Sequence, residues 1–240
     1  MPAYGVAVTD TSSDALTTDA VKAEPASSER TAARPTLVLL VRHGLTPTTG
    51  KVLPGRAPGL HLSEKGIAQA QQLVGRFAGL GVDALYASPL ERTRETARPL
   101  EDATGLTAES EPELIECDFG EWTGEKLTDL AALPEWTTVQ RTPSEFRFPD
   151  GESFTEMQER MAGAVARLCE RHPGQSIVCF SHADPIKALL AHALDSPLDR
   201  FQRIAVDPCS VSAVAYRPGA DPSVLRMNTS DGRLADLLGD

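Results

Sequence analysis

Leu37-Val38-Leu39-Leu40-Val41, followed without a break by Arg42-His43-Gly44, sets the architecture of this 240-residue chain. An apolar run with no polar alternation offers no face to water, so it reads as a strand covered on both sides by helices. The switch to Arg-His-Gly marks where that strand stops. In α/β sheets ligands collect beyond the carboxyl ends of the strands, which puts Arg42 and His43 at such an edge.

Outward from this strand the pattern repeats. A polar loop punctuated by Gly and Pro runs from Gly44 to Leu62. Ser63 then caps a helix whose apolar positions Ile67, Ala70, Val74, Phe77 and Ala78 recur at three- and four-residue spacing. Asp83 to Ala87 reads as the next strand, and Ser88-Pro89 as the cap and first position of a helix ended by Gly105, with Arg92 in its first turn. Ser153-Phe154-Thr155-Glu156 is a capping box, and Phe154, Met157, Met161, Val165 and Leu168 line one face of the helix it opens, closed by Pro173-Gly174. Ser176 to Phe180 is a second buried-strand pattern, followed by His182 and a helix through Ile186, Leu189, Leu190 and Leu194. Val211 to Tyr216 and Val224 to Met227 read as final strands. Strands separated by helices imply an α/β fold, a three-layer α/β/α arrangement with a mainly parallel central sheet and right-handed crossovers.

Residues 1–34 are rich in Ser, Thr, Ala and acidic side chains with few large apolar groups, and are expected to be a disordered tail preceding a domain over 35–240. Asp10, Asp14, Asp19, Glu24 and Glu29 argue against a transit peptide, and no apolar window is long enough for a membrane span. A net charge of −11 disfavours nucleic acid or an anionic membrane as partner, so any anion site must be a local basic pocket. Cys117, Cys169, Cys179 and Cys209 show no spacing typical of a zinc site or disulfide framework, and reduced thiols in a cytoplasmic protein are the simplest reading. No metal or cofactor is expected.

His43 and His182 each follow a buried strand directly, so both can reach one pocket. Arg42 adjoins the first, Arg92 opens a helix after another strand, and Glu116 lies in the polar stretch Glu113 to Trp122. Taken singly, the arginines suit surface ion pairs with Glu91 and Glu95, and Glu116 an exposed loop. Together, five motifs in order resemble the histidine phosphatase superfamily, also called phosphoglycerate mutase-like. They are Arg42-His43-Gly44-Leu45-Thr46, Leu62 to Gly66, Ser88 to Thr93, Leu114-Ile115-Glu116 with Phe119-Gly120, and Ser181-His182.

The resemblance covers roughly residues 36 to 232 and implies His43 as nucleophile, Glu116 as proton donor, and Arg42, Arg92 and His182 as ligands of the phosphoryl oxygens. It also places Thr49, Arg56 and Ala183 beside the substrate. The chemistry is consistent with these roles. A neutral imidazole surrounded by cations stays deprotonated and nucleophilic, fixed guanidinium forks stabilise charge spread over the equatorial oxygens, and a carboxylic acid protonates a poor alkoxide leaving group. The family often has Glu at the position of Leu45, Asn at that of Thr49 and Gly at that of Ala183. No Cys is followed by Arg six positions later, and neither a D-x-D pair nor a P-loop is present, which removes three other phosphoryl-transfer chemistries.

The expected activity is metal-independent hydrolysis of a small phosphorylated metabolite through a phosphohistidine. A phosphomutase is the alternative, and a phosphate-dependent binding module a third reading. The segment from Trp122 to Ser153 either covers the pocket, offering Trp136, Arg141, Phe146, Arg147 and Phe148 to substrate, or packs as a helical excursion. A homodimer is left open.

Overall fold

A computed structural model describes residues 34–237; apart from Arg34, the expected disordered tail lies outside them. In chain order the first half contains β1 (Thr36–Arg42), α1 (Glu64–Phe77), β2 (Ala84–Ala87), α2 (Glu91–Thr104) and β3 (Ala108–Ser110). The second contains α3 (Leu127–Leu130), α4 (Trp136–Arg141), α5 (Phe154–Arg171), β4 (Ser176–Ser181), α6 (Ala183–Ala193), β5 (Val211–Tyr216) and β6 (Ser223–Thr229). Among the described residues six strands form one sheet in the order β3-β2-β4-β1-β5-β6. The pairs β1–β4, β2–β4 and β2–β3 are parallel, whereas β5 runs antiparallel to both β1 and β6. This is the mainly parallel α/β sheet the apolar runs imply.

Alternation along β1 builds two cores at once. Leu37, Leu39 and Val41 join Ala70, Leu73 and Phe77 of α1 and Ala97 and Leu100 of α2 on one face. Val38 and Leu40 join Met161, Val165 and Leu168 of α5 and Ile186, Leu189 and Leu190 of α6 on the other. Burying each such side chain contributes about 1.5–3 kcal/mol relative to exposure, so β1 is held in place from both sides.

Helix α5 forms as its sequence dictates. The Ser153 hydroxyl accepts from the Glu156 N–H at 3.1 Å while the Glu156 carboxylate accepts from the Ser153 N–H at 3.0 Å, and the expected apolar face is buried. Helix α1 also has its expected cap, with Ser63 Oγ accepting from the Gly66 N–H at 3.2 Å, but its buried stripe is displaced. Ala70, Leu73 and Phe77 face inward while Ile67 is 48% exposed. The reason is Gly66: a Cβ there would lie 2.1 Å from the Leu45 carbonyl oxygen, so this glycine presses against the loop after His43 and fixes the helix's rotation.

One further expectation is corrected, and packing selects one of the two readings of the Trp122–Ser153 segment. Ser88 does not cap α2, whose N-cap is Leu90; its hydroxyl is engaged elsewhere, as described below. The segment between Trp122 and Ser153 is a packed excursion. Trp122, Phe146, Phe148 and Phe154 form a third core with Phe119 and Phe201, and Trp136 packs against it. Its arginines are occupied or outward, Arg147 pairing with Glu156 and Arg141 lying exposed. Phe146 and Phe148 therefore fill a core, with the half-buried Trp136 packed against it.

Candidate active site

Parallel pairing of β1 with β4 matches Arg42 to Ser181, and the His43 N–H donates to the Ser181 carbonyl at 3.0 Å. The residues that follow each strand thus leave the sheet side by side. His43 and His182 lie with ring centroids 5.3 Å apart, tilted by 60°. The close approach of Gly44 to Gly66, where a Cβ on Gly44 would sit 2.7 Å from the Gly66 carbonyl, anchors the turn after His43. The Gly44 N–H donates to Thr96 at 3.0 Å, and the Thr96 hydroxyl donates to the Arg92 carbonyl at 2.6 Å, tying this turn to α2.

His43 Nδ1 lies 2.8 Å from the Gly44 carbonyl oxygen. A carbonyl can only accept, so Nδ1 carries the proton and Nε2 keeps its lone pair. Burial, reinforced by Arg92 and Arg42, pushes the His43 imidazolium down to about 3, leaving the ring neutral near pH 7. His182 is fully buried and is likewise held well below the usual histidine range, by burial first and then by Arg92. Its Nε2 pairs with Ser88 Oγ at 2.8 Å, and its Nδ1 has no protein partner.

The two arginines are anchored at one end only. Arg92, 0% exposed, donates from Nη2 to the Gly55 carbonyl at 2.9 Å, leaving Nε and Nη1 unpaired. Arg42 donates from Nη1 to the Val206 carbonyl at 2.7 Å, leaving Nε unpaired. Buried guanidinium N–H groups without acceptors are costly. They supply a buried donor set of the kind an anion satisfies, which His182 Nδ1 joins when the Ser88 hydroxyl donates to Nε2.

Glu116, 7% exposed, accepts from the Cys117 N–H at 2.9 Å through Oε1. Burial, with the Asp184 carboxylate adding to it, pushes the Glu116 carboxyl up to about 7 against the opposing pull of Arg92 and Arg42. Raised this far, the carboxyl holds its proton well above the usual carboxylate range, the condition a general acid needs. Asp184 in turn pairs with Lys187 at 3.1 Å.

Of the remaining expected residues, Thr49 accepts the Thr46 N–H at 2.9 Å within a cluster of Thr46, Thr48 and Thr49 hydroxyls. Ala183 is the first residue of α6 and adopts helical backbone, which Ala tolerates as well as Gly. Arg56 is not a free cation: its nitrogens reach the Glu116 carbonyl, Asp118 and Glu152. Sequence reading missed Ser88 and Thr96 as contributors to the site. Both belong to the segment around Arg92, yet a serine before proline looks like a helix cap, and a threonine inside a helix carries no signal.

This fold belongs to a known class. Residues 38–230 match the model of the histidine phosphatase superfamily, branch 1, and the chain belongs to that family. Phosphoserine phosphatase 1 of Hydrogenobacter thermophilus is 31% identical over 182 residues, covering 74% of this chain and 85% of that protein. A protein of Yersinia pestis named probable phosphoglycerate mutase is 32% identical over 183 residues, covering 75% and 85%. The crystal structure of the alpha-ribazole phosphatase of Shigella flexneri superposes with a TM-score of 0.73 at 27% identity, covering 83% of this chain and 99% of that one. The relatives thus include both phosphatases and a phosphomutase by name. Among the described residues no helix is long and apolar enough to cross a membrane.

Proposed function

We propose that this protein hydrolyses small phosphomonoesters without a metal ion, through a phosphohistidine on His43. The observation that carries this reading is the neutral Nε2 of His43 beside a buried set of unpaired donors from Arg42, Arg92 and His182. The lone pair of Nε2 attacks phosphorus and the P–O ester bond breaks. The departing oxygen takes the proton of Glu116, and in the second half water attacks the phosphohistidine while the Glu116 carboxylate receives its proton. Inorganic phosphate and neutral His43 result. The guanidinium forks and the His182 N–H hold the three equatorial oxygens throughout. Ser88 acts as a positioning residue, since its contact with Nε2 fixes which edge of the His182 ring faces the phosphoryl group.

Hydrolysis is favoured over phosphoryl return by the packing of the Trp122–Ser153 segment. Its buried aromatics are turned into a core, so on this reading they are not available to cover a phosphoenzyme. The test is incubation with p-nitrophenyl phosphate and a panel of metabolite phosphomonoesters in the presence of EDTA. Phosphate release without added metal is expected. Labelled enzyme that returns its phosphoryl group to an acceptor, with no phosphate released, would establish a mutase instead. Neither release nor labelling with any substrate would favour a phosphate-binding module.

A further inference from the structure

The main chain of Glu116 is tethered from two sides. Arg56 Nε donates to its carbonyl oxygen at 2.8 Å and Arg160 Nη2 at 3.0 Å. Both guanidinium groups converge on a single carboxylate, that of Glu152. Arg160 Nε reaches Oε1 at 2.6 Å, and Arg160 Nη2 and Arg56 Nη2 each reach Oε2 at 3.0 Å. The same Oε2 accepts from the Asp118 N–H at 3.3 Å, and the Glu152 N–H donates back to the Asp118 carbonyl at 2.9 Å. Arg160 also donates from Nη1 to the Glu113 carbonyl at 2.6 Å. The Glu152 and Arg160 side chains are 12% and 14% exposed, so the bonds between them are little screened by solvent, whereas Arg56 is 32% exposed.

The backbone is shaped to bring Glu152 there. The turn before it folds so closely onto residues 118–120 that a Cβ on Gly120 would lie 1.9 Å from the Pro149 carbonyl oxygen, and one on Gly151 2.5 Å from that of Asp118. Only glycine at both positions permits this approach, and Asp150 between them adopts a left-handed backbone at φ 52°.

We infer that Glu152 is a positioning residue for the proton donor: through Arg56 and Arg160 it locks the Glu116 main chain, so that the Glu116 carboxyl meets the departing oxygen. This rests on the reading of Glu116 as general acid. Without the Glu152 carboxylate, Arg56 would keep only its 3.4 Å contact with the exposed Asp118 and Arg160 its bond to the Glu113 carbonyl, and with no charge between them at the shared Glu116 carbonyl the two guanidinium groups would repel each other and loosen the tether of Glu116. Attack by His43 and binding of the phosphoryl oxygens do not depend on that tether; protonation of the leaving group does.

The test compares turnover of p-nitrophenyl phosphate, whose leaving group needs little protonation, with that of phenyl phosphate, whose leaving group needs more. The enzymes are wild type, Glu152→Gln, Arg160→Lys, Glu116→Gln and the Glu116→Gln, Glu152→Gln double variant, each checked by thermal unfolding. Glu152→Gln is expected to lose about tenfold or more on phenyl phosphate, and about twofold or less on the nitrophenyl ester, since small misplacements of a catalytic group cost that much or more. Arg160→Lys, which keeps the charge but not the forked donors, reproduces the selectivity and carries the test should Glu152→Gln not fold. In the Glu116→Gln background the Glu152 substitution adds no further selectivity. Equal losses on both esters, or none on either, would overturn the inference. If Glu116→Gln itself shows no leaving-group preference, the proton-donor reading has failed; if it does and Glu152→Gln does not, only the positioning role has.

Discussion

At the scale of single residues, two titrating groups with opposite displacements define the pH behaviour. His43 is held down to about 3 and Glu116 up to about 7, so the base is ready and the acid still protonated across the interval between. With an alkyl phosphomonoester, kcat/KM should therefore fall as pH rises through about 7, and this limb should vanish in Glu116→Gln. The substrate's own ionisation is common to both enzymes, so a limb unchanged in the variant would contradict the assignment. The same group affects stability. Its folded pKa is raised, so its stabilising contribution is complete below the unfolded value near 4.5 and is lost as pH rises to about 7. Glu116→Gln should accordingly gain in melting temperature over wild type between pH 5 and pH 8, as measured by calorimetry, with no such gain if the carboxyl is ordinary. Arg42, His43, Arg92, Glu116 and His182 were legible in the sequence because each adjoins a strand end, a helix start or a family motif. Ser88, Thr96 and Glu152 were not, because their partners lie far along the chain and only the folded sheet brings them together.

At the scale of elements, local signals succeeded where the terminating chemistry is local. The capping box of α5 and the left-handed Gly105 after α2, with φ 74°, formed as read. They fell short where tertiary contact decides. β3 has only Ala-Glu-Ser and pairs because β2 offers it an edge. The face of α1 is set by Gly66 against the Leu45 carbonyl, an approach no periodicity reveals. This contact makes a prediction of its own. Gly66→Ala removes a costly helix glycine, worth about 1 kcal/mol in isolation, yet its Cβ would collide with the backbone that follows His43. The variant should be destabilised and should lose kcat, both measured on purified protein; a rise in melting temperature with full activity would show that the loop yields freely.

At the scale of the whole molecule, one sheet serves both stability and chemistry. Its two cores meet through β1, and the same strand delivers His43 to the edge where β4 delivers His182. Leu40, fully buried in the middle of β1 and facing α5 and α6, should tolerate truncation poorly. Leu40→Ala is expected to cost about 2–5 kcal/mol in denaturant unfolding, while the fraction that remains folded keeps its turnover number. A loss of turnover in fully folded variant would mean that core packing tunes the site directly. The central claim is covalent, and trapping is its most direct test. The enzyme is mixed with a phosphomonoester, quenched in alkali on the millisecond scale, and the modified peptide is sequenced by mass spectrometry. A single phosphoryl group on the imidazole of His43, stable in alkali, lost in acid and absent from His43→Ala, is the expected result. Turnover with no modified peptide, or with the phosphoryl group on another residue, would contradict it.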